Sequence, residues 1–283
     1  MVTISQAALL TGVAEHTLRA WERRYGVFQP SRTPAGYRDY GDDVLDRIRT
    51  MKDLVEGGLS PRQASEEVRR RMSSVEPPEP DAVAELIAAL ARLDATAASR
   101  IIDEQFAWRS YEAVVDDWLM PAMSRVGSSW ASGEISEAGE HLVANVVMRR
   151  LAAAFDAVGP NPPTPPAIVG APSGITHELG LLAFAVALRR VGVATIYLGS
   201  DVPVAAWADA VRTTHAAASI TAIPRRSDAR RVAALAERLT ADHPGVPLAV
   251  GGQFQHLAPV SCPRLGHRIA TAARAIADDL AAR

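Results

Sequence analysis

A short basic segment, residues 16–25, has the residue types of a surface that binds DNA. Arg19 and Arg23 stand four residues apart, and Trp21 and Tyr25 alternate with them. Guanidinium groups bind phosphates and guanine edges in a bidentate manner, and aromatic rings pack along the sugar–phosphate backbone. A second basic and aromatic cluster, residues 32–40, follows closely. Two such clusters favour a DNA-binding surface over a solvated charged helix.

A second candidate for chemistry is His177, which follows the short apolar run 167–171. If this run is a strand of a parallel sheet, His177 lies at the carboxyl edge, where such sheets bind ligands. A lone histidine at a helix start is usually only a capping or solvent-facing group. Small and hydroxyl-bearing residues that leave room or donate hydrogen bonds are expected at the same edge: Gly180, Ser219, Thr221, Gly251 and Gly252.

A third candidate precedes this region. Trp130 is followed, after nine residues, by Glu140 and His141. A tryptophan in a loop between two helices would cover an apolar ligand face, and the Glu-His pair would hydrogen-bond a sugar or a base. Taken alone, the same residues more often form a core tryptophan and a solvated acidic turn.

The elements around the basic segment predict a winged helix. Residues 3–10 and 15–25 form two helices with Gly12 at the turn, and the second enters the major groove. Gly36-Tyr37-Arg38 fits a hairpin wing, and Ser60-Pro61 begins a later helix. This order resembles the winged-helix DNA-binding domain of MerR-family transcription regulators. The resemblance implies the following DNA contacts on the recognition helix and wing: Thr17, Arg19, Arg23, Arg32, Tyr37 and Arg38.

Two proline-rich stretches, residues 76–80 and 160–166, divide the chain. Residues 81–158 repeat apolar positions at helical spacing and predict a four-helix bundle. Residues 166–283 alternate short apolar strands with helices, which predicts a parallel sheet covered on both faces. The predicted fold is therefore multidomain: a winged helix-turn-helix (1–75), a bundle (81–158) and a Rossmann-like α/β domain (166–283).

The candidate ligand residues carry a second resemblance. His177, Gly180, the Ser-x-Thr strand end and the paired glycine resemble the cobalamin-binding fold of corrinoid enzymes. The resemblance implies that His177 binds cobalt and that the dimethylbenzimidazole tail passes the serine and the glycines. With the Trp and Glu-His pattern before it, the whole chain is similar to the CarH/LitR-type adenosylcobalamin photoreceptor regulators. In those proteins this pattern caps the 5′-deoxyadenosyl group.

Two positions depart from that family's pattern. Ile175 stands where a carboxylate usually orients the cobalt-binding histidine, so His177 needs another partner. Ala131 stands where the photoreceptors have a histidine that takes the upper cobalt position after illumination. His141 is the nearest imidazole that can replace it.

Charge, cysteine content and apolar runs limit the kinds of protein and site that this sequence can form. The net charge of −2 is nearly balanced, so any basic surface must be local. One cysteine, Cys262, excludes an internal disulfide and a cysteine zinc site. The sequence shows no signal peptide and no apolar run of membrane-spanning length, so we expect a cytoplasmic protein.

Together these features predict a ligand-gated DNA-binding regulator that is not an enzyme. We expect a repressor that senses adenosylcobalamin, responds to light, and binds double-stranded operator DNA as a homo-oligomer, dimer or tetramer. Two alternatives stay open. The pocket holds another tetrapyrrole, such as a bilin or haem, or no cofactor; or the chain is a corrinoid methyl-transfer component, which would have no use for a winged helix.

Overall fold

A computed structural model describes residues 2–28, 30–32, 38–56, 59–73 and 81–282. The chain divides into two compact units, Met1–Glu79 and Pro80–Arg283. No helix within the described ranges is long and apolar enough to cross a membrane.

The first unit is a helix-turn-helix with a small antiparallel wing. Thr3 caps α1 in a reciprocal capping box with Gln6, as the sequence indicates, and Gly12 ends that helix in the left-handed conformation. Its elements are α1 (Ile4–Thr11), α2 (Glu15–Tyr25), β1 (Ser31–Arg32), β2 (Arg38–Asp39), α3 (Asp42–Glu56) and α4 (Pro61–Ser73).

The second unit begins with the predicted four-helix bundle. Its third helix is continuous but contains a π-helical segment, Val115–Leu119, which ends two residues before Pro121. The remaining elements are α5 (Ala82–Ala91), α6 (Ala95–Trp108), α7 (Tyr111–Val114), α8 (Met120–Ala131) and α9 (Glu137–Ala157). Trp130 therefore lies in the last turn of α8, because the helix continues through the stretch predicted as a loop.

A four-stranded parallel sheet completes the unit, with strand order β4-β3-β5-β6. The order reverses direction at β3. Right-handed crossovers therefore place α10 on one face and α11 and α12 on the other, and α13 packs beside α10. The elements are β3 (Ala167–Pro172), α10 (Leu179–Arg190), β4 (Thr195–Val202), α11 (Val204–Thr214), β5 (Ala218–Ala222), α12 (Ala229–Asp242), β6 (Leu248–Gly251) and α13 (Ile269–Ala281).

The bundle and the sheet are held together by polar contacts from the start of the third bundle helix. Tyr111 donates its hydroxyl to the carbonyl of Ala183 in α10 at 2.8 Å. Asp116 accepts the backbone N–H groups of Ile269 and Ala270, at 2.6 and 3.1 Å, and so caps α13. These contacts fix which side of the sheet the bundle covers.

Candidate functional site

The recognition helix α2 presents one apolar and one basic face. Leu18 and Trp21 are buried in the core of the first unit, so Trp21 packs inside and is not available to a DNA backbone. Arg19 and Arg23 are exposed on the opposite side, and Thr17 lies partly buried at the flank. Because Arg19 and Arg23 are four residues apart, they project from one face of the helix.

The wing brings a further arginine near this helix. Arg38 on β2 is exposed and donates through Nε to Glu22 of α2 at 3.3 Å. Arg32 is its register partner on β1. Tyr37 lies outside the described residues. Arg24 in the last turn of α2 is exposed as well, so the described basic surface includes three arginines of α2 and one of the wing.

His177 lies in the loop between β3 and α10, just outside the carboxyl edge of the sheet. Its Nε2 is 3.0 Å from Nη2 of Arg225, which follows β5. A guanidinium group only donates, so this nitrogen accepts and carries a lone pair. Burial, and after it the charge of Arg225, lowers the pKa of His177, while Asp228 and Glu140 act in the opposite direction. The imidazole is neutral at neutral pH, the state in which histidine binds metals.

The loop around His177 is held by a residue that sequence reasoning missed. Asp201, at the end of β4, accepts the backbone N–H of Gly174 at 2.7 Å and donates its own N–H to the carbonyl of Ile175 at 3.1 Å. Ile175 itself is buried. Glu178 accepts the hydroxyl of Tyr197 at 2.8 Å, so that carboxylate is engaged at β4. The only signal in the sequence is an aspartate at a strand end.

The bundle supplies the other side of the site. The Trp130 side chain is 47% exposed at the end of α8. Glu140 lies in the first turn of α9, and its charge acts on His177. His141 is exposed, with Nε2 3.7 Å from the Glu137 carboxylate. The start of α9 thus lies close enough to the histidine loop for the Glu140 charge to act on His177.

Gly180, in the first turn of α10, lies near Met120 at the start of α8. A methyl group built there would be 3.9 Å from Sδ of Met120, an ordinary contact distance. The glycine is therefore not required by the protein's own packing, which leaves its α-carbon free to contact a ligand.

The strand-end hydroxyls do not share this side of the sheet. Ser219 and Thr221 are buried on the face that α11 covers, and Nε1 of Trp207 donates to Oγ of Ser219 at 3.3 Å. Gly180 belongs to α10 on the opposite face. Ser219 and Thr221 are two residues apart on β5, so their side chains point to the same face of the sheet, the one covered by α11. The expectation that they line one slot together with Gly180 is therefore wrong in this structure.

Gly251 and Gly252 are packed against other parts of the protein. Gly252 has φ of +89°, and a methyl group there would come within 2.8 Å of the carbonyl of Ile223. A methyl at Gly251 would meet Leu265 at 3.4 Å. The strand partner of Gly251 is Ala222, which has no hydroxyl. Protein atoms therefore occupy the space expected beside both glycines.

Comparison with known proteins agrees with this architecture. Residues 2–70 match the family model described as MerR HTH family regulatory protein, and residues 82–154 match the model described as B12 binding domain. The HTH-type transcriptional repressor CarA of Myxococcus xanthus is 32% identical over 257 residues, which cover 88% of this chain and 85% of that protein. This chain belongs to the CarA family of MerR-type regulators. A second relative, the HTH-type transcriptional repressor CarH of Myxococcus xanthus, is 34% identical over 71% of each chain.

The CarA-family assignment confirms the predicted MerR-type and cobalamin-domain resemblances. The fold is also confirmed by a solved structure, the Methanosarcina barkeri monomethylamine corrinoid protein. It has a TM-score of 0.57 and 16% identity, covering 69% of this chain and 96% of that one.

The residues of this family member fit part of a cobalamin. His177 offers a neutral imidazole nitrogen, which is the form of histidine that could hold the cobalt of a cobalamin. The predicted tail positions fit less well, because Trp207 holds Ser219 and Ile223 fills the space beside Gly252. The structure thus supports the ring more strongly than the nucleotide tail.

Proposed function

We propose that this chain is a transcriptional repressor that binds operator DNA through its first unit. The exposed guanidinium groups of α2 and the wing support this role, because they combine base-edge and phosphate binding on one module. The proposed contacts are Thr17, Arg19, Arg23, Arg32, Tyr37 and Arg38. The repressor names of the 32–34% identical relatives support the direction of regulation.

The second unit, in this proposal, binds adenosylcobalamin between the bundle and the carboxyl edge of the sheet. The observation that carries this proposal is that the bundle comes close to the histidine loop: Sδ of Met120 in α8 lies 3.9 Å from a methyl group built at Gly180 of α10. The charge of Glu140 in α9, which acts to raise the pKa of His177, supports the same placement. His177 would hold cobalt through Nε2, Trp130 would cover the opposite face, and Glu140 and His141 would bind the adenosyl sugar or base. Gly180 lets α10 approach the ring. The bound group supplies a cobalt–carbon bond that light can break.

The chain's own part in the switch is the packing of the bundle against the sheet. We infer that ligand occupancy alters this packing and with it a homo-oligomer, dimer or tetramer, that sets how many winged helices bind one operator. Linking DNA-binding modules raises affinity by about 10²–10⁴-fold without a new DNA contact. Because position 131 is alanine, no imidazole next to Trp130 would be available to hold cobalt after the bond is broken, and we expect a weaker light response than a histidine at this position would give.

The test uses the full-length protein mixed with adenosylcobalamin in the dark, desalted, and then exposed to green light. Operator sites are first selected from random duplex DNA. We expect retained cobalamin absorbance, a light-dependent spectral change, and a parallel change in oligomer mass and operator affinity at fixed salt. Loss of the pigment on desalting contradicts cobalamin sensing, and unchanged DNA binding after a spectral change contradicts the switch.

One observation favours a second candidate, a repressor of the same architecture whose pocket holds another tetrapyrrole or no cofactor. Trp207 and Ile223 occupy the space near the expected tail residues Ser219 and Gly252. A bilin or haem lacks a nucleotide tail and needs no such slot. Titration of the same protein with haemin and biliverdin, beside adenosylcobalamin, separates the candidates by which pigment is retained.

A further inference from the structure

The nitrogen of His177 that faces the proposed ligand already has a partner. Nη2 of Arg225 is 3.0 Å from Nε2 of His177. The arginine is anchored at its backbone, because its N–H donates to Oδ2 of Asp228 at 3.2 Å. Asp228 is itself buried and also accepts from Arg231 at 3.4 Å. The guanidinium therefore projects from a fixed loop onto the imidazole.

This contact and a metal bond exclude one another. An imidazole nitrogen has a single in-plane lone pair, and a guanidinium group has only donors. The lone pair that accepts from Arg225 is the pair that cobalt requires. The position of the carboxylate expected to orient His177 is taken by Ile175, which is buried. The charged group that contacts the imidazole is instead the Arg225 guanidinium, at the nitrogen expected to bind metal.

We propose that Arg225 is a specificity-determining residue that occupies the ligating nitrogen of His177 and must leave before a metal-centred ring can bind there. The proposal rests on the proposed role of His177 as a metal ligand. Arg225 thereby lowers the affinity for weakly held corrinoids. A metal-centred ring binds to His177 only when its other contacts with the protein compensate for the loss of the Arg225–His177 hydrogen bond.

The experiment measures binding of aquacobinamide, a cobalt corrin without the nucleotide tail, so the occupied tail positions do not influence the result. Full-length wild type, Arg225→Ala and Arg226→Ala are titrated by absorbance. Arg226 is an exposed arginine of the same loop and serves as the matched control. We expect Arg225→Ala to bind about tenfold more tightly, the scale of one charge-assisted hydrogen bond. Arg226→Ala should match wild type.

Placing His177→Ala in the Arg225→Ala background should abolish both the gain and the spectral signature of nitrogen ligation. Circular dichroism verifies that each variant is folded. The proposal is overturned if Arg225→Ala binds as wild type does, if the gain survives without His177, or if no variant binds the probe, since a freed imidazole must then still be inaccessible.

A parallel titration with adenosylcobalamin distinguishes this proposal from the proposed function. Tighter cobinamide binding by Arg225→Ala, with no variant retaining adenosylcobalamin, would support the role of Arg225 and refute cobalamin sensing. If adenosylcobalamin is retained and Arg225→Ala changes the affinity for neither ligand, only the role of Arg225 is refuted.

Discussion

Asp116 is the residue whose loss should most directly loosen the bundle from the sheet. Its side chain is 2% exposed and caps α13 by accepting the N–H groups of Ile269 and Ala270. The carboxylate therefore places a negative charge at the positive end of a helix that belongs to the other half of the unit. Asp116→Ala leaves both amides without this acceptor at a buried interface.

The expected magnitude follows from those two bonds. A hydrogen bond to a charged group contributes about 1.5 kcal/mol at the low end of its usual range. Two of them put the local loss for Asp116→Ala at about 3 kcal/mol, or about 150-fold in an opening equilibrium. Asp116→Asn keeps one carbonyl acceptor and should lose about half. The neighbouring Asp117 is the matched control, because its bond of 2.7 Å to Arg268 is largely exposed and contributes only about 0.5 kcal/mol.

Hydrogen exchange followed by mass spectrometry measures this locally in the full chain. Peptides that contain Ile269 and Ala270 should lose protection about 150-fold in Asp116→Ala and less than threefold in Asp117→Ala. Peptides from α5 serve as an internal reference. If Asp116→Ala and Asp117→Ala lose equal protection, the capping argument is wrong and the interface depends on apolar packing alone.

Three further predictions concern DNA, ligand and pH. Arg19→Ala should weaken operator binding by about 1–3 kcal/mol at fixed salt, whereas the exposed Arg62→Ala should not; equal effects would remove Arg19 from the base-reading face. Trp130→Ala should weaken adenosylcobalamin about fivefold more than hydroxocobalamin, and equal losses would make Trp130 a packing residue only. The hydrogen bond from Arg190 lowers the pKa of Glu112, so its stabilisation is present above the unfolded pKa and is lost as pH falls below about 4. The thermal midpoint should therefore fall less in Glu112→Gln than in wild type between pH 7 and pH 3.5, and identical falls would contradict this.

Local chemistry explains why much of the fold was predictable from the sequence. Helix α2 has the predicted bounds because acidic Glu15 lies at its start and Gly26, left-handed at φ +56°, ends it. Thr3 and Ser60 cap their helices because each stands three residues before a glutamine that completes the reciprocal bonds. Each of these signals acts within one turn of helix, where neighbouring residues suffice to determine the backbone.

The site was less predictable because it depends on register and on distant partners. The direction of the Ser219 side chain depends on the register between β5 and β6, in which Ser219 pairs with Leu248. A register shift of one residue would turn this side chain toward α10. Arg225 and His177 are 48 positions apart, and nothing in their local sequence indicates the bond. Trp130 was expected in a loop, but α8 continues to Ala131 and Gly133, left-handed at φ +80°, follows its end.

The π-helical segment connects two contacts between the bundle and the sheet half of the unit. Pro121 has no N–H to donate to the preceding turn, and its ring would clash there in a regular α-helix, so the wider turn at Val115–Leu119 accommodates it. That segment carries Asp116, and Met120 follows it directly and approaches Gly180. One stretch of backbone thus joins the fixed cap on α13 to the wall of the proposed pocket. If a ring binds between the bundle and the sheet as proposed, we expect α8 to move about the π-helical segment while the Asp116 cap on α13 stays in place.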